Sequence, residues 1–141
     1  MRQEIAITVD AVIFKDLKSS ARILLIKRKN DPFKNQWALP GGFLEESENL
    51  KEGAKRELLE ETGVEVDALK QLKTYGSLNR DPRGRTISIA FIGKVKNDVI
   101  IKAGDDAKTA GWFRLNELPG LAFDHSKIIK DAKKYLRDHK L

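Results

Sequence analysis

Glu57, Glu60 and Glu61 are the residues of this chain whose types and spacing speak first of chemistry. Each residue of an α-helix advances about 100°, so on a helix these three carboxylates share one face, within an arc of about 100°. Like charges at such spacings repel, at a cost of roughly a few tenths of a kcal/mol per pair. A divalent cation would turn that repulsion into ligation. Magnesium takes oxygen ligands, keeps several waters and is commonly shared between carboxylates and substrate phosphates. Arg56 adds a guanidinium next to this face. The same residues also suit a solvated helix, because Glu52, Arg56 and Glu60 follow one another at i, i+4 steps that form surface ion pairs.

The flanking residues say what must position the carboxylates. Leu50, Ala54 and Leu58 form an apolar stripe that would dock the helix on a core. Asn49, with Glu52 three residues later, has the form of a capping box, and Ser47 is a second candidate cap. Gly63 stands where a left-handed residue would end the helix. Pro40-Gly41-Gly42 precedes it by a short loop, and glycine lets backbone approach a ligand closely. The full spacing runs from Gly42 over five residues to Glu48, then over seven to Arg56-Glu57-Leu58. One residue on come Glu60-Glu61, and one further Gly63-Val64.

This pattern, G-x5-E-x7-R-E-U-x-E-E-x-G-U with U aliphatic, resembles the Nudix box at every fixed position. It covers 23 of the 141 residues. The resemblance implies an α+β fold, a Nudix-type α/β/α sandwich with a mixed sheet between helices, over a single domain spanning residues 1–141. It also implies metal-dependent cleavage of a diphosphate linkage in a nucleoside diphosphate derivative. Glu57 and Glu61 would be the principal ligands of Mg2+, with Mn2+ as the alternative. Glu60 and the Gly41 carbonyl would be further ligands. Arg56 would orient a box carboxylate, and Glu48 would support metal-bound water or the orientation of Arg56. The general base would be Glu57 or one of Asp105 and Asp106, which lie in a polar loop; a solvated-loop role for the two aspartates is equally compatible with the sequence.

The remaining chain is read in order. Ile5 to Phe14 alternates and then becomes continuously apolar, as a strand half exposed and then buried would. Arg22 to Arg28 is the returning strand of a hairpin. Arg28, at its end, could reach a phosphate or could be an idle exposed arginine. Trp37 reads as core or pocket wall. Val64 to Leu72 reads as a strand, Thr86 to Val95 as a stronger one and Ala110 to Leu115 as a short one. Asp124 or Ser126 would cap a last helix whose apolar face is Ile128, Ile129, Ala132, Tyr135 and Leu136. His125, near the helix start, could approach the pocket but reads first as a capping or packing residue. Between two strands lies Asn79-Arg80-Asp81-Pro82-Arg83-Gly84-Arg85, whose guanidinium groups suit phosphate or carboxylate. The segment resembles the R-D-P-R-G loop of a Nudix subgroup that includes ADP-ribose pyrophosphatases and ADP-ribose-binding relatives. That resemblance makes Arg80, Arg83 and Arg85 candidate substrate residues and ADP-ribose the expected substrate, giving AMP and ribose 5-phosphate.

Composition sets the outer bounds. The net charge is +6 and the isoelectric point about 9.5, which suits an anionic partner without choosing one. Nucleic acid is not the expected partner, since only the overall charge favours it. A chain without cysteine has no disulfide, no thiol nucleophile and no thiolate metal site. No apolar run approaches the roughly 18 residues of a membrane helix. Glu4 and Asp10 interrupt what would be a signal-peptide core, so the expected location is the cytoplasm. A homodimer is allowed by the resemblance. Two alternatives stay open: hydrolysis of nucleoside triphosphates, oxidised ones included, or of dinucleotides, and an ADP-ribose sensor that does not hydrolyse its ligand. Sensors of that kind carry an added winged-helix segment, for which the chain ending at Leu141 is expected to leave no room.

Overall fold

Alternation along β1 (Ala6–Lys15) sends its side chains to two different cores. Val9, Ala11 and Ile13 join one cluster with Ala54 and Leu58, while Val12 and Phe14 join another with Ile128, Ile129 and Ala132. The strand is therefore covered on both faces, which is what its continuously apolar second half requires. A computed structural model of the chain describes residues 3–96, 98–102 and 107–141.

Around β1 stand β2 (Arg22–Arg28), β3 (Trp37–Ala38), β4 (Gly41–Phe43), β5 (Lys70–Tyr75), β6 (Thr86–Lys94) and β7 (Ala107–Arg114). They form one seven-stranded mixed sheet of order β3-β2-β1-β6-β5, with β4 paired to β1 and β7 to β2. β1 runs antiparallel to β2 and β4 but parallel to β6. α1 (Leu50–Thr62) packs on one face and α2 (His125–Asp138) on the other. The expected sandwich with a mixed sheet between helices is thus the observed architecture.

The ends of α1 follow their residue types. Gly63 takes φ 70°, and its N–H bonds the Leu59 carbonyl at 2.9 Å, a left-handed stop that a side chain would strain. The start differs from the expected capping box. Asn49 is the N-cap, but its side chain donates to Glu52 Oε1 at 2.6 Å instead of capping the backbone. Val64 to Leu69 is not strand. Val64 and Leu69 are nearly fully buried as core plugs on the α1 face, and pairing begins only at Lys70. Apolar residues there were serving packing, not a ladder. Asp124 is the N-cap of α2, again without a side-chain cap, because its carboxylate is held by Arg80.

Among the described residues, no helix is long and apolar enough to cross a membrane.

Candidate active site

The packing that buries Ala54 and Leu58 turns the opposite edge of α1 toward β4 and a cleft of about 420 Å³. Glu57, Glu60, Glu61 and Arg56 line one wall of it, together with Gly41 and Gly42. Arg56 is the hub of this wall. Its Nε and Nη2 donate to the two oxygens of Glu48 at 2.9 and 2.7 Å. Its Nη1 donates to Glu57 Oε1 at 2.8 Å and to Glu60 Oε2 at 3.2 Å. The forked hydrogen bonds from Arg56 hold the Glu48 carboxyl down at about 2, and the same bonds, Glu48 first, raise the guanidinium. Glu48 also accepts the Glu45 N–H at 2.8 Å, which ties the loop after β4 to the helix.

Glu61 is 5% exposed and accepts the Gly41 N–H at 2.7 Å. Gly42 faces Glu57 so closely that a Cβ there would stand 2.8 Å from its Oε1. The two glycines therefore allow β4 to lie against the carboxylates, the close approach expected of the P-G-G turn. Glu60 is half exposed at the rim. Among the described residues, no three carboxylate or imidazole groups are gathered into a metal cage. The glutamates share a wall on which one guanidinium meets several carboxylates. The donors are all oxygen, which fits a hard divalent cation that retains water and shares its ligands with substrate phosphates. Asp105 and Asp106, the candidate bases, lie outside the described residues.

The same cleft is also lined by cationic and aromatic side chains. Arg28 lines the cleft, donates from Nε to the Pro32 carbonyl at 2.7 Å and stacks over Phe123 at 4.9 Å. Burial lowers its proton affinity, and the neighbouring Arg83 charge adds to that. Arg83 lies 4.7 Å from the ring of Phe43 and 5.4 Å from that of Phe123. It also chelates Asp81 through Nε and Nη2, at 3.1 and 2.8 Å. Burial pushes Asp81 up, but the hydrogen bonds and charge of Arg83 outweigh this and hold it low.

The two other expected substrate arginines are engaged by protein partners. Arg80 lines the cleft, but its side chain is 4% exposed and its Nε and Nη2 are taken by Asp124 at 2.9 and 2.6 Å. It braces the arginine loop against α2. Arg85 is not among the residues lining the cleft; it donates to the carbonyl of Gly76 at 2.7 Å. Its charge serves the turn that carries the loop.

Of the floor of the cleft, sequence reading offered only His125, as a secondary possibility, and missed Thr8 and Asp10. Thr8, Asp10 and His125 line it, and Ser88 stands fully buried behind Asp10. The Leu39 N–H donates to His125 Nδ1 at 3.0 Å, across 86 positions of sequence. Burial lowers the imidazole's proton affinity, against the raising effect of Asp10. For Asp10, a carboxylate just before the apolar run of β1 was the available signal.

Comparison with known proteins agrees with the geometry. The model of the NUDIX domain matches residues 5–132. An ADP-ribose pyrophosphatase of Methanocaldococcus jannaschii is 54% identical over 92% of this chain and 74% of its own length. An ADPR responsive transcriptional repressor, NtrR, of Acinetobacter baylyi is 36% identical over 89% of this chain, which spans 52% of that relative. Among solved structures, the NUDIX domain of Shewanella oneidensis NrtR complexed with ADP ribose superposes with a TM-score of 0.90 at 31% identity, covering 96% of this chain and 90% of that one.

Proposed function

The chain belongs to the Nudix hydrolase family, and from that premise we propose that it hydrolyses ADP-ribose to AMP and ribose 5-phosphate. The observation that carries the reading is the cleft itself, lined both by the box carboxylates and by Arg28 and Arg83. A diphosphate suits both, since its oxygens can share a carboxylate-held cation and accept from guanidinium groups. The similarity to an ADP-ribose pyrophosphatase and to an ADP-ribose complex supports ADP-ribose as the derivative.

In this reaction a water oxygen bonds to one phosphorus while that phosphorus loses the bridging oxygen. The bridging oxygen leaves with the other phosphate, and the water's proton passes to a base. Glu57, Glu60 and Glu61, with the Gly41 carbonyl, would hold Mg2+ or Mn2+. When bound, such a cation offsets the charge of the phosphoryl oxygens and of the leaving phosphate. The protein's own part is to keep these groups in place. Arg56 fixes Glu57 and Glu48, and the Gly41 N–H fixes Glu61. Arg28 and Arg83 supply positive charge to the diphosphate. The base is Glu57 or one of Asp105 and Asp106.

A second reading has its own observation. The repressor relative responds to ADP-ribose, so binding without turnover is a defined alternative. Product analysis with Mg2+ separates the two, using ADP-ribose, other nucleoside diphosphate sugars, dinucleotides and nucleoside triphosphates. Preferred cleavage of ADP-ribose, lost in Glu57→Gln and Glu61→Gln, supports the proposal. Preference for triphosphates overturns the substrate, and tight ADP-ribose binding with no turnover on any compound overturns the enzyme.

A further inference from the structure

The floor of the cleft holds a polar pair that none of the roles above uses. Asp10 is 5% exposed and His125 4%, yet both line the cleft. Ser88 donates a short hydrogen bond to Asp10 Oδ2 and so fixes the carboxylate. Asp10 Oδ1 has no such partner among the described residues. Its neighbour is His125 Nε2 at 3.8 Å, beyond hydrogen-bond range. The tautomer of His125 follows from Leu39. An N–H donated to Nδ1 at 3.0 Å makes that nitrogen the acceptor and leaves the ring hydrogen on Nε2. One unused acceptor and one unused donor therefore stand side by side. Room beside them is kept by Gly41, where a Cβ would collide with Asp10 Oδ1.

We propose that Asp10 Oδ1 and His125 Nε2 form a subsite for a sugar hydroxyl of the substrate, which donates to the first and accepts from the second. A hydroxyl matches the pair because it is both donor and acceptor. A phosphate oxygen offers only acceptors and meets a carboxylate; an amino group offers only donors and meets an N–H. Position narrows the source. Asp10 is directly paired with Gly41, beside the wall that would hold the diphosphate. In ADP-ribose the two ribose rings flank the diphosphate, and the base lies farther off. The inference rests on the ADP-ribose reading.

The test compares ADP-ribose with analogues lacking one hydroxyl on the adenosine ribose and analogues lacking one on the terminal ribose, in the wild type and in Asp10→Asn. A hydrogen bond to a charged group supports a loss of about 10- to 100-fold in kcat/KM for the analogue lacking the matching hydroxyl. The arm that responds names the ribose. Asp10→Asn, which keeps an acceptor but removes the charge, should lower kcat/KM for ADP-ribose and weaken the discrimination between intact and deoxy compounds. A merely structural role would lower all compounds together and keep their ratio. Wild type that treats every deoxy analogue like ADP-ribose overturns the subsite, as does Asp10→Asn that discriminates as strongly as wild type. The wild-type comparison needs no variant, and Ser88→Ala, expected to weaken discrimination, stands in if Asp10→Asn does not fold. If ADP-ribose is bound but not turned over, the enzyme reading fails alone. Calorimetric affinities for the same compounds then decide the subsite.

Discussion

Replacing Gly41 and Gly42 by alanine, one at a time, should give opposite failures. At Gly42 the added methyl would stand 2.8 Å from Glu57 Oε1, where ordinary contact begins at 3.4 Å, so the carboxylate must retreat by about 0.6 Å. It can, because it ends a flexible side chain. It cannot do so freely, because Arg56 Nη1 holds it at 2.8 Å. Gly42 is not among the described glycines with positive φ, so alanine itself is not strained there. Removing glycine even lowers the unfolded chain's entropy, worth about 0.4–1 kcal/mol of stability. The fold should therefore survive. Catalytic groups tolerate roughly 0.5 Å of displacement, and a misplacement near 1 Å costs on the order of 100-fold. Gly42→Ala should thus lose about 10- to 100-fold in kcat/KM with a melting temperature within a few degrees of wild type. At Gly41 the methyl would collide with the Val9 carbonyl oxygen, which is backbone of a buried central strand and cannot swing away. Overpacking of that kind costs about 1–3 kcal/mol, so Gly41→Ala should melt several degrees lower. Thermal melts and steady-state kinetics on both variants settle the matter. Wild-type kcat/KM in Gly42→Ala would refute the importance of the Glu57 position, and wild-type stability in Gly41→Ala would refute the close seating of β4 on β1.

Three further outcomes are expected. Arg80→Met leaves Asp124 without its buried partner and should cost about 3 kcal/mol in denaturant unfolding, whereas Arg85→Met at the surface should stay within about 0.5 kcal/mol. Glu48 has its folded pKa depressed to about 2, so its contribution is present above the unfolded value near 4.5 and is lost as pH falls between the two; Glu48→Gln should flatten the stability profile in that window. His125 is likewise depressed, by burial, so below pH about 6.5 the unfolded chain takes up a proton that the folded chain does not. Stability should fall with pH there, and proton-detected NMR should show the His125 hydrogen on Nε2.

What the sequence disclosed was whatever a short stretch of chain decides. The helix from Leu50 to Thr62, its apolar stripe and its Gly63 stop are local matters, and all were legible. So was the burial of β1 from Ala11 to Phe14, whereas its first part, read as half exposed, is already buried at Thr8 and Asp10. The box carboxylates came out on one wall because helical spacing alone puts them there. Apart from His125, the floor was not legible, since Asp10 and Ser88 are 78 positions apart and meet only because β1 and β6 run parallel. The arginine loop was half legible: Arg83 faces the cleft, but nothing near Arg80 announces that Asp124, 44 positions later, will take its guanidinium. Val64 to Leu69 misled because buried apolar residues look the same whether they pair or plug.

The turn before the box is stitched to the far end of the chain. Trp37 donates to the Gly120 carbonyl and accepts from the Ala122 N–H, and Leu39 donates to His125. A shortened chain ending before Gly120 would keep all 23 residues of the motif and still be recognised by any search for it. It would have lost the backing that seats Leu39, Pro40 and the two glycines against the glutamates. Possession of the motif and competence of the site are therefore separate properties in this fold. Libraries that vary or trim the region after Gly120 alter the second while leaving the first untouched.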